Sequence, residues 1–244
     1  MLQDLHSHTF YSYCGKDDPE EVIKNAIRCG LDVVGISDHY HGIVHNHPEI
    51  TYHSEGEKAR LHRESMQRYY YHIKSLADKY KNQIDVRCGV EITTLDRGFH
   101  RLPDGVDVSY FDYVLIENFQ HPDAYVTNVL DFAKRCNCPV MGFAHNDLPA
   151  YCEMKGFDLG DFFTSMAENN IFWEMNVNFD SKHNFFEHPY VKYFFEDSEL
   201  ISLVKETGVK LSVGFDGHIL EEYDADRVKD ACRRIEELGL ELIK

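Results

Sequence analysis

Residues 2–15 read LQDLHSHTFYSYCG: a short strand-like run, then His6 and His8 at once, then a loop that reaches Cys14 and Gly15. Packing gives no reason for two imidazoles just where a strand stops. In extended chain, residues i and i+2 point the same way and lie about 6 to 7 Å apart. His6 and His8 can therefore grip one ion together. How the rest of the chain is read follows from this stretch, because the same device recurs along it.

Runs rich in β-branched residues mark six further strands, at 32–37 (DVVGIS), 85–91 (DVRCGVE), 112–116 (DYVLI), 140–144 (VMGFA), 171–176 (IFWEMN) and 209–214 (VKLSVG). Amphipathic stretches separate them. In DPEEVIKNAIRCG, Asp18 takes the N-cap, Pro19 the first helical position and Gly30 the position just past the end. Helices are also expected near 57–80, 122–136, 158–169, 196–207 and 225–238. Such alternation predicts parallel strands with right-handed crossovers, either as an open doubly wound sheet or as a barrel. With no linker, composition shift or repeat, residues 1–244 read as one domain.

Each strand delivers potential ligands at its carboxyl end. The series runs His6 and His8; Asp38 and His39; Glu91; Glu117, Asn118 and His121; His145; Asn176 and Asn178; and Asp216 with His218. In barrel enzymes the loops converge at that rim and build the active site there. Imidazole and carboxylate donors suit zinc, manganese or iron rather than calcium or magnesium. So many donors predict two or three divalent ions, with Glu91 as a bridge. His41, His45 and His47 fall in a long loop after the second strand, read as solvated. His53, His62, His72, His100, His183 and His188 read as ordinary residues.

Composition narrows the function. The chain carries 42 acidic against 25 basic side chains, a formal net charge of −17. That surface repels phosphate backbones, so nucleic acid is not an expected partner. Seven scattered cysteines suit reduced thiols better than a disulfide framework. No apolar run approaches 18 residues and no basic leader precedes one, so a soluble cytoplasmic protein without membrane contact is expected.

The motifs DLHSHT, GISDHY, GVEI, FAHND and VGFDGH, in this order and across nearly the whole chain, resemble those of the polymerase and histidinol phosphatase (PHP) superfamily. A long helix before the glutamate strand is similar to the histidinol-phosphatase branch. The resemblance implies a distorted seven-stranded TIM-like (β/α)7 barrel holding up to three metals. It implies His6, His8, Glu91 and Asp216 around one ion, and Glu91, His145 and a histidine after the fourth strand around a second. His39 and His218 would serve the third, with Cys14 where the family often has a histidine. His121 stands slightly late for the fourth-strand ligand, which leaves Glu117 and Asn118 as alternatives.

The expected chemistry is hydrolysis of a small phosphomonoester, such as a histidinol-phosphate-like compound, a sugar phosphate or a nucleotide, by metal-activated hydroxide. Asp216 is read as both ligand and catalytic group, Asp38 as orienting a ligand imidazole, and Arg97 and Arg101 as substrate contacts. An amidohydrolase is the first rival, although DYVLIENFQH lacks the lysine that many such barrels carry. A DNA-directed trinuclear-metal nuclease is the second, and the charge counts against it. Oligomeric state is left open.

Overall fold

Residues 1–45, 54–96, 101–103 and 106–244 are described in the computed structural model. Seven strands run parallel in sequence order: β1 (Gln3–Asp4), β2 (Val33–Ile36), β3 (Asp85–Thr93), β4 (Tyr113–Glu117), β5 (Met141–Phe143), β6 (Ile171–Asn176) and β7 (Leu211–Gly214). The ring closes where Leu5 N–H donates to Val213 O at 2.9 Å and His8 N–H to Gly217 O at 2.8 Å. The barrel alternative therefore holds, in its distorted seven-stranded form.

The helices are α1 (Pro19–Arg28), α2 (Tyr40–His45), α3 (Glu55–Tyr80), α4 (Val129–Cys136), α5 (Leu148–Lys155), α6 (Leu159–Glu168), α7 (Pro189–Glu196), α8 (Ser198–Thr207) and α9 (Ala225–Glu237). In α1, Asp18 accepts from Glu20 N–H and Pro19 opens the first turn, as its sequence dictates. Helix α3 buries Met66, Tyr69, Ile73, Leu76 and Tyr80, a stripe with alternating spacings of three and four. From that stripe Tyr69 reaches the barrel. Its hydroxyl hydrogen is shared between Ile36 O and Gly89 O, at 3.1 and 3.0 Å, and its oxygen accepts from Asp38 N at 3.2 Å. One side chain thus ties the ends of β2 and β3 together beneath the rim.

Four helices depart from expectation. The start of the loop after β2 winds into α2, with Tyr40 fully buried; His47 lies outside the described residues. The helix expected from 122 begins only at Val129, where Asn128 caps it, because Ala124 instead bridges back to Leu95. Helices α5 and α7 were not anticipated, although Asp147 with Pro149 and His188 with Pro189 mark their starts.

Period-two alternation fills the barrel in layers. On β4, Tyr113 and Leu115 enter an inner apolar cluster with Val33, Phe172, Leu5 and Ile243, and Glu117 follows two residues on. Space for the rings comes from glycines. A Cβ on Gly35 or Gly89 would overlap Tyr113, and one on Gly142 would overlap Phe172. The C-terminal segment seals the far end, with Ile243 N–H donating to Leu211 O at 2.8 Å.

Gly89→Ala should therefore destabilise the fold by about 1–3 kcal/mol through overpacking against Tyr113. A denaturation midpoint equal to wild type would show that the ring does not fill that space.

Candidate metal centre

The inward face of each strand delivers a donor at the carboxyl end of the barrel, and the donors converge. His6 Nε2 and His8 Nε2 lie 3.1 Å apart. Asp216 Oδ1 sits 3.0 Å from His8 Nε2 and 3.5 Å from His6 Nε2. Glu91 reaches His6 Nε2 at 3.3 Å and His145 Nε2 at 3.2 Å through Oε1, and His39 Nδ1 at 2.8 Å through Oε2. Glu117 closes the set, 3.6 Å from both His39 Nδ1 and His145 Nε2. His6, Glu91, Glu117 and Asp216 are all buried. Cys14 joins His8, His39 and His218, with one ligand atom from each within 4.8 Å of the others. The cavity at this mouth measures about 180 Å³.

Hydrogen bonds behind the imidazoles fix which nitrogen faces inward. Glu174 Oε1 accepts His6 Nδ1–H at 2.7 Å, which leaves Nε2 for the cluster. Ser12 does the same for His8. Its hydroxyl donates to Asp38 Oδ1 at 2.7 Å, so its oxygen accepts His8 Nδ1–H at 3.1 Å and His39 N–H at 2.9 Å. Such backing carboxylate and hydroxyl groups are what metal-ligating histidines require. The other oxygen of Glu174 accepts His145 N–H at 2.7 Å and holds that residue at a φ of 35°. Glu174 thus sets one candidate ligand after β1 and another after β5.

The electrostatics match cation binding. Burial works against a charged His6, yet Asp216, Glu174 and Glu91 raise it well above its ordinary value. His8 is lowered well below, by burial and by the charges of His218 and His39. Burial likewise opposes charge on His145, but the Glu91 hydrogen bond together with the charges of Glu91, Asp216 and Glu117 raises the group to about 9. For Cys14, burial pushes upward while hydrogen bonds from His218 and His39 pull the thiol down to about 7. Glu91 Oε2 and His39 Nδ1 lie 2.8 Å apart but out of hydrogen-bond geometry, and buried His218 Nδ1 has no hydrogen-bond partner among the described residues. A divalent ion would satisfy such atoms, and the nitrogen, oxygen and sulfur donors fit zinc, manganese or iron.

His6, His8, Cys14, His39, Glu91, His145, Asp216 and His218 thus come together as expected. His121 does not. Asn118 takes a left-handed φ of 63° and the chain turns back, so His121 ends 42% exposed with Nδ1 accepting from Asp123 N–H. Glu117 fills its place, while Asn118 donates to Thr93 Oγ1. Asp38 touches no imidazole. Both its oxygens are taken by Thr9 and Ser12, so it anchors the β1 loop and acts on His8 only through Ser12. Arg101 stacks over Tyr125 at 4.5 Å and lines a separate pocket with Phe132 and Arg135. Arg97 lies outside the described residues, as do His53 and His100.

Four participants were missed. Glu174 was legible as a charge at an inward position of the apolar strand IFWEMN. Asp180 accepts His183 Nδ1–H at 2.7 Å, and His183 Nε2 lies 3.2 Å from Asp216 Oδ2. His188 stacks on His145 with centroids 5.8 Å apart. An acid followed three residues later by histidine, just after β6, was the available signal for the second pair.

A family model described as the PHP domain matches residues 4–243. The fold is similar to that of a histidinol phosphate phosphatase from Lactococcus lactis subsp. lactis Il1403 complexed with zinc, L-histidinol and phosphate. That match has a TM-score of 0.61 at 18% identity and covers 99% of this chain and 95% of the other. A putative histidinol phosphatase from Listeria monocytogenes matches with a TM-score of 0.48 at 15% identity, over 90% of this chain and 96% of that one. No curated protein matches the chain.

Glu174→Gln keeps the shape but weakens the acceptor behind His6. It should lower affinity for divalent ions by about 10- to 100-fold, read by calorimetric titration of metal-stripped protein. Unchanged affinity would reduce Glu174 to a packing residue.

Proposed function

Because the chain belongs to the PHP domain family, we propose that it is a metal-dependent phosphoesterase that hydrolyses a small phosphomonoester at the carboxyl mouth of its barrel. The observation that carries this reading is the convergence of His6, His8, Glu91, Glu117, His145 and Asp216 on one buried centre. His6, His8, Glu91 and Asp216 would hold one divalent ion, and Glu91, Glu117 and His145 a second. Cys14, His39 and His218 would hold a third. When bound, such ions supply an activated water and positive charge for the phosphoryl oxygens.

The chain's own groups prepare that step. Glu174 and Ser12 lock His6 and His8 with Nε2 inward, so no reorganisation is needed when charge develops. His183 holds Asp216 by the oxygen that faces away from His8, leaving Oδ1 directed at the centre. His188 covers His145 and narrows the mouth. A phosphoryl group of a few ångströms suits a cavity of about 180 Å³, and a larger leaving group must then project outward. The fold neighbour that binds zinc, L-histidinol and phosphate is compatible with such a substrate. The lysine-bridged amidohydrolase arrangement is disfavoured, because Glu117 rather than lysine occupies the end of β4.

Protein loaded with zinc or manganese should release phosphate from 4-nitrophenyl phosphate, and His8→Ala should lower that rate by more than about 100-fold. Arg101→Ala should leave it unchanged, since Arg101 faces another pocket. Amide hydrolysis with no phosphate release would overturn the assignment.

Metal binding should weaken in acid. A folded-state value of about 9 means that ion-free His145 keeps its proton up to that pH. An entering ion must displace that proton. Apparent affinity should fall about tenfold per pH unit below 9 for each proton displaced. Affinity independent of pH between 6 and 9 would place His145 outside the coordination shell.

A further inference from the structure

The loop between β1 and α1 carries Cys14 to the mouth and is tied down along its length. Ser12 N–H donates to Thr9 O at 2.9 Å, Phe10 N–H to Asp17 O at 2.9 Å, and Lys16 N–H to His218 O at 3.1 Å. From the other side α2 packs so closely that a Cβ on Gly42 would overlap Tyr11 O and Ser12 Cα. The sulfur so placed is hydrogen-bonded by both His218 and His39. The other six cysteines pack in or against the apolar core, and Cys14 alone does not. Its position answers to the donors around it.

Four groupings of metal-type donors occur among the described residues, and three contain a carboxylate. His6 and His8 stand with Asp216, His39 with Glu91 and Glu117, and His183 and His218 with Asp180. The fourth, His8, Cys14, His39 and His218, has no carboxylate and is the one that offers sulfur. Its rings are fixed against each other, with the His8 centroid 4.5 Å from those of both His39 and His218. His8 Nε2 lies 3.0 Å from Asp216 Oδ1 and so serves the carboxylate side, which leaves Cys14, His39 and His218 for an outer ion. Thiolate and imidazole donors suit tetrahedral zinc, whereas manganese favours carboxylate and water oxygens. One mouth therefore presents two sets of donors of different softness.

Resting on the metal assignment within the phosphoesterase reading, we propose that Cys14 makes the centre heterometallic: the outer position selects zinc through sulfur, while the positions beside Glu91 accept manganese or iron. The discrimination lies in the donor type, so a hydroxyl or an imidazole at position 14 lowers it even where an ion still binds.

The test starts from metal-stripped protein. Cobalt(II) probes the sulfur bond, because a cobalt–thiolate pair adds a charge-transfer absorption in the near ultraviolet that nitrogen and oxygen donors do not give. Wild type should show this absorption on cobalt loading, and Cys14→Ser and Cys14→His should lack it. One equivalent of zinc should shield Cys14 from iodoacetamide, read by peptide mass spectrometry, and the same amount of manganese should not. Dialysed against limiting zinc with excess manganese, wild type should hold a zinc-to-manganese ratio at least about tenfold above that of Cys14→Ser. No charge-transfer absorption in wild type, or alkylation of Cys14 unaffected by zinc, would overturn the proposal without recourse to any variant. Equal metal ratios in wild type and Cys14→Ser would overturn it as well. Absorption and shielding as expected, with no phosphate released from 4-nitrophenyl phosphate, would support the sulfur position and overturn the phosphoesterase reading alone.

Discussion

A carboxylate inside a protein stands only where positive charge meets it, and Glu91 is the point where this barrel concentrates that requirement. It is fully buried, and four imidazoles from three different segments lie within 3.5 Å of its oxygens. Removing such a group from water without partners costs several kcal/mol. Burial works to raise its pKa, yet the charges of His6 and His39 hold it well below the usual carboxylate range. The rest of the mouth is organised around satisfying this one side chain, which bound divalent ions would do most completely.

The barrel interior explains why the charge can be held there. Its lower layers are apolar and sealed by Tyr113, Phe172 and Ile243. Water therefore reaches the centre only from the rim, and electrostatic interactions in such a site are stronger than at a surface. Two inward glutamates, Glu91 and Glu174, sit on strands whose lower positions are glycine or phenylalanine, so the polar layer rests directly on the packed one. Asp4 shows the same economy at the seam. Its Oδ1 accepts from His6 N and Phe215 N, both at 3.0 Å, so a single side chain joins the strands that close the ring and carry His6 and Asp216.

What the sequence revealed depended on local pattern. Period-two runs and end-of-strand donors located every strand and seven of the converging residues, with Cys14 added by the family resemblance, because the barrel places each strand's carboxyl end at one mouth whatever the loops do. His121 failed because a single left-handed residue, Asn118, reversed the chain before it. Asp38 failed because its position beside His39 suggested an imidazole partner, whereas Thr9 and Ser12, close in space but 29 and 26 residues away, take its oxygens. Glu174 is paired with a histidine 168 residues distant, a contact that only closure of the ring creates. These three misses are thus long-range partnerships and one turn, neither of which leaves a periodic trace.

Charge bookkeeping at the mouth bears on how an anionic substrate is held. The chain as a whole is at −17, and four buried carboxylates gather at this mouth, Glu91, Glu117 and Asp216 facing the cavity and Glu174 behind His6. His183 offers little relief, since both its nitrogens already face Asp180 and Asp216. Two divalent ions would only cancel the four carboxylates, giving a neutral centre. A third, near Cys14, His39 and His218, would leave the surplus positive charge that a phosphate dianion needs. On this reasoning an ion held by Cys14, His39 and His218 would contribute mainly to substrate capture, while ions held beside Glu91 would supply the reacting centre. A Cys14 thiolate there would subtract one charge, so capture would depend on a strongly held ion rather than on a crowd of basic side chains.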